Sequence, residues 1–143
     1  MFKYVHHINY AVRNRDEMVA YIERTFGMKP YKVLQVEGQQ KEAQYLVGPT
    51  LVRFREPYPG RNPSPEFLEQ RGPGIILVSW AVDNLSQVAQ DLITKGINIK
   101  SDRRTLSDKP GVRQNTQGYV TVSIDPQGEH GPPALFQLSG EAE

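Results

Sequence analysis

The ten residues "VHHINYAVRN" at positions 5–14 return seventy positions later as "IILVSWAVDN" at 75–84. In that register Ile8 meets Val78, Tyr10 meets Trp80, Ala11 meets Ala81, Val12 meets Val82 and Asn14 meets Asn84. Both copies have the apolar content and length of a buried strand. His6 and His7 break the echo, because the second copy has Ile76 and Leu77 there. The halves share a scaffold and differ in chemistry at these positions.

Reading outward, each copy continues into a helix. Asn14 with Glu17, and Asn84 with Gln87, are spaced as capping boxes, which satisfy the orphan amides of a helix start. Met18, Ile22 and Phe26 then recur every four residues up to Gly27, and Leu85, Val88, Ala89, Leu92 and Ile93 do so up to Gly96. After Gly27, "YKVLQVE", "EAQYLVG" and "TLVRFRE" read as three short strands, with turn residues at 37–40 and at Gly48-Pro49. After Gly96, "INIKS", "YVTVSID" and "ALFQLS" supply three more. The spacing predicts an α+β chain of two βαβββ units: a single domain over 1–143, with repeat 1 at about 4–56, a connector at about 57–74 and repeat 2 at about 75–139. The connector is rich in Pro and Gly, and within it Pro65 suits the first position of a short helix that Ser64 can cap. Residues 102–118 have no apolar period and read as a binding or surface loop.

Bulk composition narrows the function classes. With 143 residues, 38% hydrophobic and 23% charged, the chain can bury one real core. A net charge of +1 gives no global field for nucleic acid or an anionic membrane surface. No run approaches the roughly 18 apolar residues of a membrane span, and "MFKYVHHINY" lacks a signal-peptide core. The cytoplasm is the expected compartment, and a small molecule the expected partner. Without cysteine there are no disulfides and no thiolate nucleophile or ligand, so any metal would rest on His, Asp, Glu or Gln.

The landmarks "HHINYAVRNRDEM", "REP" followed by "SPEFLEQRGPGI", "VDNL" and "IDPQGEHGPPALFQL" occur in order along nearly the whole chain. In these the sequence resembles the vicinal oxygen chelate superfamily of glyoxalases, bleomycin-resistance proteins and extradiol dioxygenases, most of all its methylmalonyl-CoA epimerase branch. The resemblance implies that the two βαβββ units form a curved, half-open mixed sheet around a cleft holding a divalent metal. It places the ligand positions on His7, Arg53, Leu77 and Gln137, where the family carries His, Gln or Glu, His, and Glu. Leu77 cannot ligate, and the permanently charged guanidinium of Arg53 would repel a dication. His6 points to the other face of its strand from His7, and His130 reads as a loop residue. The expectation is therefore a chain without the family's metal; a site rebuilt from loop carboxylates such as Glu37 or Glu42 stays open.

Strand parity supplies the companions of His7. If His7 faces the cleft, so do Asn9 and Ala11, then Leu51, Arg53 and Arg55, then Leu77, Ser79 and Ala81, and Leu135, Gln137 and Ser139. Ile8, Tyr10 and Val12 face the helices. The lining of those four strands holds cations and amides but no carboxylate, which suits a small anionic ligand. The catalytic candidates are His7 as general acid or base and Arg53 as the fixed charge stabilising an enolate; Asn9, Arg55, Ser79 and Gln137 are candidates to bind substrate. Two readings follow. One is an isomerase, epimerase or lyase acting on a small carboxylate or acyl thioester by proton transfer. The other is a non-catalytic small-molecule binding or sequestering protein of the bleomycin-resistance type. Against the catalytic use of Arg53 and Arg55, both could instead pair with Glu56 or another surface carboxylate. Exposed edges of half-open sheets make a homodimer the expected assembly.

Overall fold

The computed structural model describes residues 1–35, 41–58, 65–97, 99–100, 113–114, 119–124 and 135–141. The elements in chain order are β1 (Phe2–Ala11), α1 (Arg15–Phe26), β2 (Lys32–Gln35), β3 (Lys41–Val47), β4 (Thr50–Arg55), α2 (Pro65–Arg71), β5 (Gly74–Val82), α3 (Leu85–Thr94), β6 (Ile99–Lys100), β7 (Arg113–Gln114), β8 (Tyr119–Ile124) and β9 (Leu135–Glu141). They form an α+β chain: β1 to β4 with α1 make one βαβββ run, and the run that opens with β5 and α3 carries four strands after its helix, β6 to β9. No helix among the described residues is long and apolar enough to cross a membrane. The chain divides into two compact units, His7–Ile76 and Met1–His6 with Leu77–Glu143.

In the unit His7–Ile76 the strands lie in the order β2, β3, β4, β1, with β1 and β4 parallel and the other pairs antiparallel. A two-residue loop, Gly48-Pro49, joins β3 to β4 and sets their register at Val47 opposite Thr50. Gly48 sits at φ 57°, a backbone that an L side chain resists. Alternation then sorts the side chains. Ala43, Tyr45, Phe54 and Val12 are buried with Ile22 of α1, and Tyr10, Val52, Met18 and Val19 close around them. α1 starts as expected, with the Asn14 side chain accepting a hydrogen bond from Glu17 N at 3.0 Å, and stops at Gly27, whose φ of 69° carries the chain out of the helix. Arg15 is buried behind that cap. Its guanidinium donates to Leu34 O at 2.8 Å and pairs with Asp16 at 2.9 Å, so the first turn of α1 is tied to β2. Pro65 opens α2 as predicted.

The second unit repeats the wiring, with β6, β8, β9 and β5 in order, β5 and β9 parallel, and β7 added beside β8. Val82, Leu85, Ala89 and Leu138 form its core, with Trp80, Val88, Leu92 and Ile99 packed on it. Phe2 stacks on Trp80 at 5.1 Å between ring centroids, and Lys3 pairs with Asp83 at 3.0 Å.

Two expectations are corrected here. Asn84 is no mirror of Asn14: it takes a left-handed backbone at φ 49° and its side chain makes no cap hydrogen bond. The Gln87 amide donates instead to Asp91, one turn on, at 2.9 Å. Residues 102–118 are not loop throughout, because Arg113–Gln114 form β7; 102–112 and 115–118 lie outside the described residues, as do Glu37, Ser64 and His130.

Candidate functional site

The parity of β1 and β5 is the one predicted. His7, Asn9 and Ala11 are buried while Ile8 and Tyr10 are half-buried, and Leu77, Ser79 and Ala81 repeat that order against Val78 and Trp80. A strand buried on both faces needs its polar side chains paired or functional.

Within the unit His7–Ile76 the register lines up three rows on the face opposite α1. His7 stands beside Leu51 and then Leu46; Asn9 beside Arg53 and then Gln44; Ala11 beside Arg55 and then Glu42. Directly paired positions are about 5 Å apart, so neighbouring rows form one patch. His7, Asn9, Gln44, Arg53 and Glu42 are at most 7% exposed. Four of the six residues expected at the site, His7, Asn9, Arg53 and Arg55, therefore share this face.

Glu42 changes its electrostatics. It is a buried strand residue, and the carboxylate that the four-strand reading of the face lacked. Arg55 Nε donates to Glu42 Oε1 at 2.5 Å, and Gln44 Nε2 donates to Glu42 Oε2 at 2.5 Å. The Glu42 side chain is 7% exposed and that of Arg55 20%, so this is no solvent-screened surface pair. Arg55 thus pairs with a carboxylate, buried Glu42, on a strand flanked by two others. Glu56 accepts from the Arg15 backbone N–H at 3.3 Å. Two guanidiniums, Arg53 and Arg55, and one carboxylate, Glu42, thus lie on this face.

Asn9 adds an unmet demand. Its Oδ1 is buried without a hydrogen-bond partner. Behind the sheet, the Tyr45 hydroxyl is also buried without a partner, and burial, then the nearby Glu23 carboxylate, push its pKa up from the usual tyrosine value.

Ser79 and Gln137 fall in the other unit, where they are directly paired on β5 and β9. Ser79 is fully buried, its Oγ 2.6 Å from Ser139 Oγ, which is fully buried too. Gln137 is 5% exposed.

The donors at the four family ligand positions do not fit a divalent cation. His7 offers one imidazole, Gln137 a neutral amide, Arg53 a positive charge and Leu77 no lone pair, against the three or more converging donors such ions take. Among the described residues no three His, Asp or Glu side chains gather at one point.

The model of the glyoxalase/bleomycin resistance protein/dioxygenase superfamily matches residues 6–111. No curated protein sequence matches significantly. Among solved structures, methylmalonyl-CoA epimerase from Mycobacterium tuberculosis superposes with a TM-score of 0.73 at 21% identity, over 99% of this chain and 90% of that one. A substituted Streptomyces coelicolor methylmalonyl-CoA epimerase in complex with 2-nitronate-propionyl-CoA gives 0.73 at 22%, over 99% and 96%. A hypothetical protein from Bacillus halodurans C-125 gives 0.70 at 18%, over 97% and 94%. At such identities the likeness is one of fold.

Proposed function

The chain belongs to the glyoxalase/bleomycin resistance protein/dioxygenase superfamily, and from that premise we propose that it is an isomerase or epimerase that moves a proton on a small carboxylate or acyl thioester without a metal. The observation that carries this reading is that His7 stands one row from Asn9 and Arg53 on one buried face. Arg53 binds the ligand's carboxylate or thioester oxygen. His7 takes the proton from the adjacent carbon, the electron pair moves onto the oxygen, and Arg53 N–H groups stabilise the enolate so formed. Return of the proton to that carbon completes the isomerisation. Glu42 and Gln44 act as positioning groups, holding Arg55 in place behind Arg53. Methylmalonyl-CoA is one member of the substrate class, on the strength of the structural neighbours' names.

Proton exchange tests this directly. In deuterated buffer, wild type should exchange the proton next to the carbonyl of an acyl-CoA or small acid, read by NMR, and His7→Ala should slow exchange by about 100-fold or more. An ion-content assay of chelator-free protein should find no stoichiometric divalent ion; one ion per chain, lost with His7→Ala, would overturn the metal-free mechanism. Binding without exchange across the panel would favour the second reading, a sequestering protein of the bleomycin-resistance type. The engagement of Arg55 by Glu42 supports that alternative, because it takes one cation out of contact with substrate.

The proposal includes a homodimer. β2 is an edge strand of its unit, with Val33 50% exposed in it and Tyr31 66% exposed just before it. Sedimentation at tens of micromolar should give twice the chain mass, and a monomer there refutes it.

A further inference from the structure

β2 ends the strand order of its unit, so among the described residues its outer edge has no strand beside it. A free edge is a template for another strand. Val33 stands opposite Ala43, and so on the face that carries α1, with Tyr31 exposed just before it. Lys32 and Leu34 stand opposite Gln44 and Glu42, on the face of the candidate site. An open backbone edge and exposed apolar side chains thus lie one strand from the groups that hold Arg55.

We propose that a second copy of this chain covers that edge, β2 against β2 and antiparallel across a two-fold axis at Val33, and that the pairing steadies β3 at the site. This rests on the homodimer proposed above and names its surface and register. Symmetry limits the choices. In an antiparallel self-pair opposed side chains share a face, so the axis must pass through a residue and not between two. An axis at Lys32 sets two like charges directly opposite each other, which is unfavourable. An axis at Leu34 carries Tyr31 past Gln35, the end of the copy's β2. An axis at Val33 sets Val33 against its copy, Lys32 against Leu34 and Tyr31 against Gln35, so all of 31–35 is used and two exposed β-branched side chains meet. A second copy needs such self-matching and an unrelated strand does not. With β2 flanked on both sides, Glu42 and Gln44 no longer sit one strand from a free edge, where local opening is easiest.

The chain has no cysteine, so single-cysteine variants of the whole chain report this geometry. With a short bis-maleimide at tens of micromolar protein, Val33→Cys should cross-link to a dimer about tenfold or more faster than Leu34→Cys. Tyr31→Cys mixed with Gln35→Cys should cross-link faster than either alone. Equal rates for Val33→Cys and Leu34→Cys, or no gain in the mixture, overturn the register. Val33→Asp, at a half-exposed position, should sediment at the mass of one chain and exchange its β2 and β3 amide hydrogens about tenfold or more faster than the wild-type dimer. A Val33→Asp dimer overturns the β2 surface and leaves the homodimer standing, whereas a wild-type monomer overturns both. Unaltered β3 exchange in a Val33→Asp monomer overturns the link to the site. The cysteine rates decide the surface if Val33→Asp fails to fold.

Discussion

Replacing either partner of the Glu42–Arg55 pair probes whether the polar face is held by buried electrostatics. At a few ångströms and an effective dielectric near 20, opposite unit charges attract by about 4 kcal/mol, against a desolvation cost of several kcal/mol per ion. The side-chain exposures of 7% and 20% decide how the losses divide. Arg55→Met leaves the less exposed group, Glu42, with Gln44 as its remaining partner, and should cost about 3–5 kcal/mol. Glu42→Gln keeps an oxygen for Arg55, which retains some water, and should cost about 2–3 kcal/mol. The double variant no longer strands a charge, so its cost should fall below the sum of the two by about 1.5 kcal/mol or more. Urea unfolding of all four proteins gives the coupling. Raising NaCl from low to about 0.5 M should leave it nearly intact, since buried pairs are screened little. A coupling under about 0.5 kcal/mol, or one that vanishes with salt, would place this pair with ordinary surface ion pairs and refute the reasoning.

Three other substitutions test the scaffold. Tyr45→Phe removes a buried hydroxyl without a partner and should stabilise the chain by about 1 kcal/mol, roughly 3 °C in Tm for this length. Because its pKa is raised on folding, Tyr45 contributes stability that is fully present below about pH 10 and lost as pH rises through the higher folded value. Tyr45→Phe should therefore flatten the alkaline limb of the stability profile, and an unchanged limb would count against it. Asn14→Ala should lower stability by about 1 kcal/mol through loss of the cap, whereas Asn84→Gly should be neutral or mildly stabilising because only the left-handed backbone is at issue there; equal losses at both sites would contradict the two geometries. Gly140→Ala would set a Cβ 2.8 Å from Leu85 Cβ and should cost about 1–3 kcal/mol by chemical denaturation; a neutral result would mean that α3 shifts freely on β9.

The repeat at offset seventy revealed the fold because the strand period and the helix period both survive in it. Parity put His7, Asn9, Arg53 and Arg55 on one face, and that depends only on alternation. Glu42 stands on that face of a strand and not in a loop, and the signal for its place is present in the sequence. The Gly48-Pro49 hairpin pairs Val47 with Thr50, and counting outward from it sets Glu42 opposite Arg55. Parity on the first and last strands of each half leaves out β3, whose polar residues Glu42 and Gln44 take the same face. Asn84 shows the opposite limit. Its letter and spacing match Asn14, yet a backbone angle decides whether a side chain can reach back to cap, and no residue pattern encodes that angle here.

The division of β1 between the two units has a consequence for synthesis. Met1–His6 are made before His7–Ile76, but the segments they belong with begin at Leu77. At roughly 5–20 residues per second, that is a wait of several seconds. His7–Ile76 can meanwhile complete their own unit, so Met1–His6 find their neighbours only after the unit made later than they are. Phe2 must stay available until Trp80 exists.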